Sequence, residues 1–79
     1  MPTVLRINGF SFVIYLNDHE PSHVHVFKQG EVVISLGNSP SEIVVRQNNR
    51  MSANDERRAL RIASEHHDML LEKWREING

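Results

Sequence analysis

The sequence predicts an α+β fold: two antiparallel β-hairpins, giving four to five strands in one sheet, packed against one long C-terminal helix. Three observations carry that reading. An Asn-Gly pair separates two apolar runs near the N-terminus. Period-two alternation then recurs as far as residue 46. After Ser52 the apolar period lengthens to three and four, with no proline or glycine before Gly79.

The first strand is expected over Thr3 to Ile7, and Asn8-Gly9 supplies the two positive φ angles of a type I′ hairpin turn. The second runs from Phe10 to Leu16, with Phe10, Phe12, Ile14 and Leu16 on one apolar face. A polar loop, Asn17 to Ser22, leads into a third strand over His23 to Lys28. Gln29-Gly30 turns the chain into Glu31 to Leu36, completing a second hairpin. Gly37 to Pro40 is loop chemistry, and Glu42 to Arg46 is a short fifth strand. Ser52 caps the helix, with Asp55 and Glu56 at the positive end of its dipole. Leu60, Ala63, His67, Leu70, Leu71, Trp74 and Ile77 form a stripe that reads as one amphipathic helix over about 53–77, following strands over about 3–47. The expectation is one domain over residues 1–79.

Composition narrows the function classes. With 79 residues, 39% apolar, the chain can build one modest core that gains from a partner or a second copy of itself. It has no cysteine, which excludes a disulfide scaffold, a thiolate nucleophile and a cysteine-type zinc finger. No apolar run approaches the roughly 20 residues of a membrane helix, and no basic leader precedes an apolar stretch, so no membrane role and a cytoplasmic location are expected. The formal charge of −1 argues against a strongly basic nucleic-acid coat.

The five histidines are the chemical feature, and three of them, His19, His23 and His25, lie within seven residues. Alternation puts His23 and His25 on one strand face, about 7 Å apart along the chain. His19 could swing in from the loop, Asp18 could orient an imidazole, and Pro21 stiffens the segment between them. Three readings follow. His19, His23 and His25 could bind a divalent transition metal such as zinc. The imidazoles could do metal-free acid–base work, since they exchange protons near neutral pH. Or they are polar residues on the outer face of a half-buried strand. His67 lies on the helix stripe and reads as a core-edge residue.

Arg57, Arg58 and Arg61 cluster in the first turns of the helix, with Arg6 in the first strand and Arg46 and Arg50 just before the helix. They read either as a phosphate-binding patch or as a solvated face paired with Glu56, Glu65 and Asp68. The stripe around Trp74 is flanked by Ile62 and Met69, an apolar margin that a partner chain or a second copy could cover.

The sequence resembles the bacterial family known as domain of unknown function 4160. The likeness includes the opening Met1-Pro2-Thr3, Arg6-Ile7 with Gly9, and the strand from Phe10 to Tyr15. Its most specific part is Asn17-Asp18-His19-x-Pro21-x-His23-Val24-His25-Val26. Arg57-Arg58-x-Leu60-x-Ile62 and Leu70-Leu71-Glu72-x-Trp74 extend it. Ser22 and the His66-His67 pair depart from the family pattern without touching the histidine motif.

The resemblance implies a genetic setting: the toxin of a type II toxin–antitoxin module, paired with an antitoxin of the domain of unknown function 2442 family. Its implied target is RNA or the translation machinery, through ribonuclease-like chemistry that needs no cofactor. One of His23 and His25 would then be the general base and another imidazole the general acid, with His19 and Asp18 completing the centre and Arg6 or Arg58 holding phosphate. Two alternatives stay open: a non-enzymatic module that inhibits its target by binding it, and a metal-binding histidine cluster.

Overall fold

The computed structural model describes residues 3–79, so Met1 and Pro2, which open the family-like stretch, lie outside the described residues. Five strands form one antiparallel meander in the order of the chain: β1 (Thr3–Ile7), β2 (Phe10–Val13), β3 (His23–Phe27), β4 (Glu31–Ser35) and β5 (Val44–Asn49). Two helices follow, α1 (Ala53–Glu65) and α2 (His67–Asn78).

Asn8 and Gly9 take φ of 53° and 85°, the turn that this pair favours. The β3–β4 turn repeats the device with Gln29 at 43° and Gly30 at 134°. Gly30 is required twice over, because a Cβ there would sit 2.6 Å from the backbone of Arg50 and Met51. Phe10, Phe12, Val24, Val26, Val32 and Ile34 alternate onto one sheet face and are fully buried. Ala59, Ile62, Ala63, Leu70, Leu71 and Trp74 meet that face from the helices. Ser52 caps α1 as expected, its hydroxyl accepting from the Asp55 N–H at 3.1 Å.

Three expectations need correction. Leu16 is not on the buried face: β2 ends at Val13, Asn17 takes a φ of 65°, and Leu16 is 67% exposed. Glu42 belongs to a short 3-10 turn, Pro40–Glu42, and β5 starts later and runs to Asn49. The long helix is two helices, broken at His66, whose φ of −112° and ψ of 21° leave the helical region. The break accompanies a tertiary bond: His67 is 2% exposed and its Nε2 lies 2.9 Å from the Leu36 carbonyl. Among the described residues no helix is long and apolar enough to cross a membrane.

Candidate metal centre

β3 faces two ways. Val24 and Val26 enter the core, and His23 and His25 point to the opposite face, where their rings lie 5.4 Å apart. Each ring is held. The Trp74 ring lies 5.0 Å from His23, and Tyr15 stands edge-on to His25 at 4.6 Å. His23 Nδ1 is 2.8 Å from the Pro21 carbonyl, across a loop whose Glu20–Pro21 peptide is cis. A carbonyl only accepts, so Nδ1 carries the proton. His25 Nδ1 is 2.9 Å from Glu31 Oε2, and a carboxylate likewise only accepts.

A neutral ring that carries its proton on Nδ1 turns a bare Nε2 toward Asp18. His23 Nε2 is 3.3 Å and His25 Nε2 3.8 Å from Asp18 Oδ2. That oxygen is buried and makes no hydrogen bond. With both rings in that form three lone pairs face one another, an arrangement that is costly unless a positive charge sits among them. The three atoms lie within 4.8 Å of each other. Ligands of a tetrahedral ion at the usual zinc distances are about 3.3 Å apart, so a modest contraction closes the site. Two histidines and one carboxylate make a ligand set that leaves further positions open.

The loop that carries Asp18 is tied to the far end of the chain. The Asp18 N–H donates to Asn78 Oδ1 at 3.1 Å, and Asn78 Nδ2 donates to the Tyr15 carbonyl at 3.0 Å. The centre opens into a cleft of about 370 Å³ lined by Asp18, His19, Glu20, His23, His25, Val33, Arg46 and Gln47.

The structure thus brings Asp18, His23 and His25 together. His19 is exposed on the cleft lining, and Asp18, not His19, supplies the third converging atom. Arg6 and Arg58 do not line this cleft. Arg58 sits 5.4 Å over the Phe10 ring and 3.6 Å from Asp55 Oδ1, an oxygen also 3.7 Å from Lys28 Nζ. The Phe10 ring lies 4.9 Å from Nζ of Lys28, the residue just past the end of β3 and five residues from His23, or about 16 Å along an extended chain. Arg6 is on edge strand β1, opposite Ser11. Sequence reasoning missed Glu31 and Asn78 as supports and Arg46 as the cleft's cation. Glu31 was visible as a same-face residue of the neighbouring strand, whereas Asn78 carried no signal.

The fold and site together define a small α+β protein with a largely buried cluster of two histidines and an aspartate at the mouth of a cleft. The family model for Domain of unknown function (DUF4160) matches residues 9–75, and the chain belongs to that family. No curated protein and no solved structure matches it.

Proposed function

We propose that the protein is a growth-inhibiting toxin of a two-component module and that it works through a divalent transition metal held by His23 Nε2, His25 Nε2 and Asp18 Oδ2. The observation that supports this reading is the convergence of three potential ligand atoms, two of them on imidazoles whose other nitrogen is held by Pro21 or Glu31. Such an ion, held by these three residues, would supply an activated water as nucleophile near neutral pH. A hydrolytic attack on an RNA phosphodiester is the reaction this suits, and the antitoxin would restrain it.

A second reading has its own observation. Asp18 Oδ2 is close enough to His23 Nε2 for a shared proton, so an imidazolium–carboxylate pair could do acid–base chemistry without metal.

Induced expression is expected to stop growth, and co-expression of a domain of unknown function 2442 partner to restore it. His23→Ala should abolish the arrest while folding, read by circular dichroism, is kept. Zinc addition should restore the activity of chelator-treated protein under the metal reading and leave it unchanged under the proton-transfer reading. Arrest that survives both His23→Ala and His25→Ala would reject both and point to inhibition by binding alone. Harmless expression would reject the toxin assignment.

A further inference from the structure

The cleft wall opposite the histidines contains an irregularity that positions a cation. β4 and β5 pair Val33 with Gln47 but Ile34 with Val45, so Arg46 is an extra residue on β5. In an unbroken strand Val45 and Gln47 would share a face. The bulge removes that constraint: Val45 stays opposite the core residue Ile34, and Arg46 and Gln47, although consecutive, both line the histidine cleft. Bulges commonly re-aim side chains beside active sites.

Arg46 is exposed and makes no ion pair among the described residues. Among the described residues it is the only lysine or arginine lining the cleft, where Asp18 and Glu20 are acidic. Its guanidinium can grip two oxygens of one oxyanion at once. Gln47 is tied back to His25 by long contacts. Its Nε2 donates to Asn49 Oδ1 at 3.4 Å, and Asn49 Nδ2 donates to Glu31 Oε1 at 3.5 Å. The other oxygen of Glu31 accepts from His25 Nδ1.

We infer that the β5 bulge is an oxyanion subsite, in which Arg46 binds a phosphate group of the substrate while Gln47 hydrogen-bonds beside it, facing the Asp18–His23–His25 centre. This rests on the hydrolytic reading of that centre and names the residues that would hold the phosphate of its substrate. A phosphate is favoured over a carboxylate because it has oxygens enough to meet both the Arg46 fork and the centre across the cleft.

Calorimetric titration of the full chain with phenyl phosphate tests this, run on metal-free and zinc-treated protein, with acetate as the carboxylate probe. Binding should be saturable and favour phenyl phosphate. Arg46→Gln should weaken it about tenfold or more. Arg46→Lys should recover only part, because an ammonium keeps the charge and loses the fork. Thermal melts of both variants should match the wild type, since Arg46 is exposed. Equal phenyl phosphate affinity in wild type and Arg46→Gln would overturn the subsite, as would tighter binding of acetate or no binding at all. Arg46-dependent binding to metal-free protein that takes up no zinc would keep the subsite and reject the metal.

Discussion

The two histidine pairs of this chain put the same side chain to opposite uses. His23 and His25 each give one ring nitrogen to a fixed acceptor, Pro21 or Glu31, and present the other to a shared point beside Asp18. His67 gives Nε2 to the Leu36 carbonyl and buries Nδ1 without a hydrogen bond, 3.6 Å from a carboxylate oxygen of its exposed neighbour Asp68. The first pair meets a carboxylate brought in by a loop and opens to a cleft. The second joins a helix break to a strand end. A histidine becomes a ligand candidate through the convergence of its free nitrogen with others, and burial alone does not achieve that.

Exchanging the losses between the two regions is the largest expected effect. His67→Ala leaves a cavity and an unpaired Leu36 carbonyl, and should lower stability by about 2–4 kcal/mol in urea titrations. Zinc affinity per folded molecule should stay within about threefold of wild type. His23→Ala should do the reverse, weakening zinc by more than the roughly 100-fold that bounds the loss of outer partners. If both variants lose zinc equally, the contrast between the pairs is wrong.

Glu31→Gln is next in size. It keeps a hydrogen-bond acceptor for His25 but removes the charge that raises the basicity of the ring, and zinc should bind about tenfold more weakly. Asn78→Ala gives the smallest effect. It frees the loop at the Asp18 N–H and the Tyr15 carbonyl, and zinc should weaken by about threefold to tenfold, read by competition with a chelating dye. An unchanged affinity in Asn78→Ala would show that the loop holds Asp18 without the C-terminal clamp.

Local chemistry explains what was legible beforehand. The β1–β2 turn followed from Asn8-Gly9, the core face from alternation, and the shared face of His23 and His25 from their spacing. The helix break was illegible because no residue near His66 is a helix breaker; it goes with a bond to Leu36, 31 residues away. The placement of Arg46 was hidden for a related reason. A bulge depends on how two strands register, and neither strand encodes it alone. Asn78 reaches a loop 60 residues earlier in the chain, through a contact that no short-range pattern contains. Arg6 and Arg58 were expected to hold phosphate beside the histidines, and the fold places Arg58 over Phe10 near the opposite end of β3.

The central claim is the convergence of Asp18, His23 and His25 on one ion, and calorimetric titration of the metal-free chain with zinc tests it most directly. The account predicts one zinc per chain in wild type, with binding lost in both His23→Ala and Asp18→Asn and retained in His19→Ala. No zinc uptake by wild type, or full uptake by the two ligand variants, would contradict it.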